Sequence, residues 1–327
     1  MTKNNNYAKL DTEDCALRLL EIKKPLILIH VKPDGDAVGS AAALSLIFKQ
    51  LGEDAPILSA DKIPERLGFI LERTSTNVAT DTEGYSAVSI DVASPSQLGA
   101  LATSAPAPVL MIDHHAVGER FADGYICPDA SSAAEALYDI AIALEAMDKI
   151  KIDKTIAFAL YTAISSDTGC FAFSNAGAKA HLCAARLIEL GIDSADINRR
   201  LFYSKSKEQI AAEGFIASKI KTANGGRIAY ATLSHKERES LGIESEYFET
   251  AIDVVRSLCG TEVAFVVKEN DEGKIKVSLR STGADVAAVA KAFGGGGHTR
   301  AAGCTLGAKD TKEAAELILR VLDTTKG

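Results

Sequence analysis

The chain has 327 residues, 47% hydrophobic and 24% charged, with a formal net charge of −8. That length exceeds one typical domain and the composition is ordinary globular material, so two domains with sizeable cores are expected. The acidic balance, relieved only by a modest cluster of Arg199, Arg200, Lys205 and Lys207, excludes long duplex DNA as a partner and leaves room for a short nucleotide held by a few residues.

No apolar run reaches about 18 residues and the N-terminal MTKNNNYAKLDTEDC has no apolar signal segment, so a cytoplasmic protein without a membrane partner is expected. Six cysteines (Cys15, Cys127, Cys170, Cys183, Cys259, Cys304) are scattered with no Cys-x-x-Cys pair. That spacing argues for buried reduced thiols rather than a zinc ribbon or a disulfide framework.

In chain order, Glu13–Ile22 has helical spacing and Leu26–His30 reads as a buried strand, followed by the loop Val31–Asp36. Ala37–Leu51 is a helix apolar on most faces, ending at Gly52. Short strands follow at Ala55–Ser59, Ala87–Asp91 and Val109–Ile112, with a helix from Ser96 to about Ala102. Helices are expected at Ser131–Met147, Asp153–Ser165 and Gly177–Leu190. Strands alternating with helices predict a doubly wound α/β domain with a mainly parallel sheet over residues 1–191. Residues 192–224 read as a polar, Lys-rich helical connector without a strand. Beyond it come a strand at Arg227–Leu233, a helix at Tyr247–Ser257 and a hairpin of Thr261–Lys268 with Lys274–Arg280. A helix at Ala284–Ala292, a glycine loop at Gly294–His298 and a last helix at Thr311–Leu322 complete a smaller α+β domain over residues 225–327.

The chain is organised around VLMIDHHAVG (Val109–Gly118), where Asp113, His114 and His115 stand at the end of a buried strand. In open parallel sheets, ligands gather outside such carboxyl ends. His30, Asp34 and Asp36 flank the first loop, Asp91 ends its strand, and Asp167 follows a helix. Singly, each has an ordinary explanation: Asp36 as a helix N-cap, His30 as a core histidine, Asp91 and Asp167 as turn formers. Four separate segments placing Asp or His at element ends make coincidence the weaker account. Five carboxylates, two or three imidazoles and no thiolate fit Mn²⁺ better than a structural Zn²⁺, while Mg²⁺ takes fewer dedicated protein ligands. Two such ions about 3.5–4 Å apart that share a carboxylate suit water attack on a phosphate ester. The four glycines before His298 expose backbone N–H groups to a phosphate or ribose, although spacing alone favours a flexible turn. His181 and His235 read as structural histidines without partners.

HVKPDGDAVGS (His30–Ser40), SID (Ser89–Asp91), IDHH (Ile112–His115) and SSDTG (Ser165–Gly169) resemble, in order, the four motifs of the DHH phosphoesterase superfamily. GGGGHTRAAG (Gly294–Gly303) resembles the signature of the associated DHHA1 domain. The resemblance implies that His30, Asp34 and Asp91 ligate one Mn²⁺, and Asp36, Asp91, His114 and Asp167 a second, with Asp91 bridging. It makes His115 the general acid or a phosphate contact and Asp113 the carboxylate that orients a histidine. Arg280, Ser281, Gly295, Gly296, Gly297 and His298 would bind the substrate's far end, so that a substrate bridges both domains. The form GGGGHTR departs from the commoner Lys-containing pattern and leaves the role of Thr299 and Arg300 open. Within the superfamily the two-domain layout most resembles the bifunctional nano-RNase and pAp phosphatase group. The implied function is Mn²⁺-dependent hydrolysis of short RNA of about two to five nucleotides and of 3′-phosphoadenosine 5′-phosphate (pAp). A stand-alone phosphodiesterase for pApA or cyclic di-AMP, and a catalytically silent nucleotide-binding module, are the alternatives; a homodimer is the candidate assembly.

Overall fold

The computed structural model describes residues 7–324, and the chain divides into two units, Met1–Ser204 and Lys205–Gly327. The first unit runs α1 (Thr12–Glu21), β1 (Pro25–Leu28), α2 (Gly35–Gln50), β2 (Ile57–Leu58), α3 (Gly68–Thr74), β3 (Ser86–Ile90), α4 (Leu101–Ser104) and β4 (Leu110–Asp113). It continues with β5 (Asp123–Ile126), α5 (Ala133–Ala146), α6 (Lys154–Asp167), α7 (Ala178–Glu189) and α8 (Ser194–Asn198). All neighbouring strands are parallel, in the order β2-β1-β3-β4-β5. That is a doubly wound order whose reversal falls between β1 and β3, the place where such sheets bind ligands.

Strand alternation builds two layers. Ile27, Ile29, Val88, Ile90, Leu110 and Ile112 face the large core made with α2, α5 and α6. Leu26, Leu28 and Ala87 face the other way, into a smaller cluster with Val92 and Leu98. Met111 and Asp113, alternating with Leu110 and Ile112, take this second face. Helix α2 is buried nearly all round, as its apolar sequence requires.

The second unit runs α9 (Lys207–Ser218), β6 (Lys221–Ala223), β7 (Ile228–Leu233), α10 (His235–Leu241), α11 (Ala251–Arg256), β8 (Val263–Glu269) and β9 (Ile275–Ser281). It ends with α12 (Val286–Lys291), β10 (Gly296–His298), β11 (Ala301–Leu306) and α13 (Thr311–Thr324). Its sheet, ordered β10-β11-β9-β8-β7-β6, is antiparallel except for the pair β7–β8. One face packs with α12 and α13, the other with α9 and α11.

Several expectations are corrected here. The supposed glycine loop is partly strand, because Gly296, Gly297 and His298 pair with Gly303, Ala302 and Ala301. Strand β6 stands where no strand was expected; three largely exposed residues carry no apolar signal. Edge strand β5 and strand β11 escape periodicity because most of their residues are small or polar. The helix expected from Ser96 is a 3₁₀ turn and a separate short α4, parted at Gly99. Cys259 is exposed, and only Cys15, Cys183 and Cys304 are buried. The basic cluster is largely neutralised, since Arg199 and Arg200 both pair with Asp196, and Lys205 with Glu213. Among the described residues no helix is long and apolar enough to cross a membrane.

Candidate active site

The loop after β1 delivers the first groups. Asp34, not Asp36, is the N-cap of α2: its backbone is extended and Oδ1 accepts from the N–H groups of Asp36 and Ala37, both at 3.0 Å. Asp36 is therefore free to turn inward from the first helical turn. Its buried carboxylate accepts from Ala133 N–H at 2.7 Å, Ala134 N–H at 3.2 Å and the Ser40 hydroxyl at 2.8 Å. It thus sits at the N-terminus of α5, where backbone N–H groups lack intrahelical partners.

Asp91 is turned by the backbone. Its φ of +58° is left-handed, a conformation that Asp and Asn tolerate far better than most side chains. The buried carboxylate lies 3.5 Å from His30 Nε2 and 3.5 Å from His114 Nε2. His30 Nε2 also lies 3.8 Å from Asp34, and His114 Nε2 3.9 Å from Asp36 and 4.0 Å from Asp167. Ligand atoms of His30, Asp34 and Asp91 lie within 4.8 Å of one another, as do those of Asp36, His114 and Asp167.

Ring orientation separates the histidines. His30 Nδ1 is 2.7 Å from the Val31 carbonyl and His114 Nδ1 3.4 Å from the Ala130 carbonyl. A carbonyl only accepts, so both rings carry the proton on Nδ1 and present Nε2 to the carboxylates, as metal-binding histidines do. His115 is reversed: its Nδ1 faces Asp113 at 2.7 Å and lies 3.8 Å from Asp91. His115 also groups with Asp91 and His114 within 4.8 Å, but its shortest bond is to the buried Asp113.

The charges strain against one another. Burial lowers the His30 pKa, but Asp34 and Asp91 outweigh it and raise it to about 11. Burial raises Asp167 to about 7, Asp34 and Asp91 adding to it and His114 opposing. Burial and the neighbouring Asp91 and Asp167 likewise push Asp36 upward. Among the described residues, Asp34, Asp36, Asp91, Asp113 and Asp167 form no ion pair with Lys or Arg. Without a cation this cluster must hold protons, and a divalent ion would displace them. The donor set fits hard or borderline divalent metal.

One supporting residue was not foreseen. Asn175 Nδ2 lies 3.3 Å from the Asp167 carboxylate and 2.9 Å from the Ser131 carbonyl. Only a search for amides as well as ionisable groups near SSDTG would have found it.

In the second unit the register supplies the arrangement. His298 pairs with Ala301, and Ala301 with Arg280, so these three side chains share one sheet face. In the next row Gly296 pairs with Gly303 and Gly303 with Ser278, giving a floor of small residues beside Arg280. Ser281 alternates to the other face, and its hydroxyl donates to the Ala284 carbonyl. A Cβ on Gly297, whose φ is +138°, would lie 2.5 Å from the Ala301 oxygen, whereas one on Gly296 would meet nothing within 4 Å. Gly297→Ala is therefore expected to lower the melting temperature. Gly296→Ala should melt as the wild type yet raise the KM several-fold for any substrate held on this face, because only a ligand could need that space. A Gly296→Ala enzyme with unchanged KM would show that the floor binds nothing. His235 contacts Glu239, Asp271 and Arg238, and His181 packs 5.3 Å from the Phe171 ring centroid, so both have partners after all.

A family model for the DHH family N-terminal domain matches residues 24–164, and one for the DHHA1 domain matches residues 225–324. The chain is 32% identical over 302 residues to the bifunctional oligoribonuclease and PAP phosphatase NrnA of Thermus thermophilus, covering 90% of this chain and 88% of the relative. The protein of that name from Bacillus subtilis is 26% identical over 312 residues, covering 94% and 96%. Among solved structures, an exopolyphosphatase-related protein from Bacteroides fragilis superposes with a TM-score of 0.84 at 22% identity, covering 96% of both chains. With both matched domains in the order that the motifs dictate, the chain belongs to the DHH family and carries a DHHA1 domain.

Proposed function

We propose that this DHH-family phosphoesterase hydrolyses very short oligoribonucleotides and pAp with the help of two divalent cations, Mn²⁺ foremost. The observation that carries the reading is the pair of Nε2 atoms, from His30 and His114, each 3.5 Å from the single carboxylate of Asp91. One cation would be held by His30, Asp34 and Asp91, the other by Asp36, Asp91, His114 and Asp167. Bound there, such ions polarise a phosphoryl oxygen and acidify water. Asp113 accepts the Nδ1 proton of His115 and favours the imidazolium, whose Nε2 can then donate to a phosphate oxygen or leaving group. Residues 1–191 would carry the hydrolytic cluster and 225–327 a recognition face formed by Arg280, His298 and Gly296. Two named relatives covering most of both chains support the choice of substrates. A net charge of −8 gives a longer strand no basic track.

The test is a substrate panel under Mn²⁺ comprising pAp, pApA, cyclic di-AMP, short RNA and a 20-mer. Dimers and pAp should be cut far faster than the 20-mer. Arg280→Ala should raise the KM for pApA at least tenfold while changing turnover of bis-p-nitrophenyl phosphate little, although remote binding energy can also serve the chemical step. Equal turnover of the 20-mer, or an unchanged KM for pApA in Arg280→Ala, would refute the reading. Preference for cyclic di-AMP would replace its substrate.

A further inference from the structure

Over β4 and β5, the second face of the first unit's sheet opens into a cavity of about 410 Å³. Met111, Ile126, Ala93 and Pro128 give it apolar lining, and Tyr7 and Arg120 line it too. Asp113 and His115 line it as well, so it reaches the hydrolytic cluster through the imidazole whose Nδ1 is held by Asp113. Nothing in the reaction assigned above uses this space.

We infer that this cavity is a nucleoside subsite, taking the base and ribose on the 3′ side of the phosphate being hydrolysed. The inference rests on the proposed function. The volume falls within the range of small-ligand pockets and suits one nucleoside. Charge decides between base and phosphate as the occupant. Asp113 and Glu119 both line the cavity, against Arg120 and His115, so it offers no net positive field to a free phosphate. Apolar side chains beside a guanidinium plane are what a neutral base stacks upon. Arg120 is half-buried and, among the described residues, forms no ion pair with a carboxylate; its guanidinium reaches the Tyr7 carbonyl at 3.5 Å. Among the described residues its plane lies over no aromatic ring. The same cluster then serves two substrates: pAp has no nucleoside beyond its 3′-phosphate and leaves the cavity empty, whereas a dinucleotide fills it. In the dinucleotide, water adds to phosphorus and the bond to the 3′ oxygen of the first nucleoside breaks. That oxygen gains a proton, so pApA and one water give two AMP.

The experiment compares pApA with an analogue whose second sugar lacks its base, in the wild type, Arg120→Ala and Arg120→Lys, with pAp as reference and thermal melting as a check on folding. The wild type should show a kcat/KM roughly tenfold higher for pApA than for the abasic analogue, the scale of one stacked base. Arg120→Ala should bring that ratio close to one while the rate on pAp relative to the abasic analogue holds, and Arg120→Lys should not restore the ratio. A wild-type ratio of one, or a ratio unmoved by Arg120→Ala, would overturn the subsite alone. Restoration by lysine would overturn stacking on the guanidinium plane. A wild type that hydrolyses neither pAp nor pApA would overturn the functional reading and the subsite with it.

Discussion

Asp91→Asn is expected to reduce hydrolysis of every substrate by about 10³-fold or more, since Lewis-acid stabilisation at such centres is worth several kcal/mol. Bound metal should fall at both sites, because Asp91 alone lies against both His30 and His114. Asparagine is the informative replacement. It keeps the volume of the buried side chain and tolerates the left-handed backbone, so melting should change little, whereas Asp91→Ala would add backbone strain. Metal analysis of the purified variant alongside a rate measurement makes the check. Full activity in Asp91→Asn would remove the shared-carboxylate assignment, and loss of one ion only would make Asp91 a ligand to a single site.

The second large effect is at His115. His115→Ala should lower turnover by about 10²–10⁴-fold, the usual worth of a general acid, while bound metal stays near the wild-type level. The ring's short bond to Asp113, 2.7 Å against 3.8 Å to Asp91, is the reason to separate it from the metal set. Burial pulls the His115 pKa down, but Asp113 outweighs it and raises it, favouring the protonated form that donates. Asp113→Asn should reproduce part of the loss, since an amide oxygen holds an imidazolium less well than a carboxylate. If His115→Ala loses metal while His114→Ala keeps it, the two histidines have exchanged roles.

Much of this site was legible because apolar runs point at it. LILIH, AVSID and VLMIDHH each end a strand with an ionisable group, and a parallel sheet must bring such ends to one edge. What could not be read was the company those groups keep. Asp36 looked like a local helix cap, yet two of its hydrogen-bond donors are Ala133 and Ala134, 97 and 98 residues away. Arg280 and His298 are brought to one face by the register at Ala301, and two of the three residues of β10 are glycines that carry no strand signal. Asn175 and Arg120 fell outside a search that looked for clusters of metal ligands. Edge strand β5, four residues without an apolar run, defeated periodicity, and with it went the cavity wall.

The left-handed turn at Asp91 also bears on how this lineage could lose its activity. Codons for Asn and Gly each differ from those for Asp by one base, and these are the two residues that take up this backbone at least cost. A gene drifting free of selection for hydrolysis can therefore cross to an inert but well-folded product in one mutation. Among descendants of this chain, Asn or Gly at position 91 would mark proteins that have kept the scaffold for binding alone.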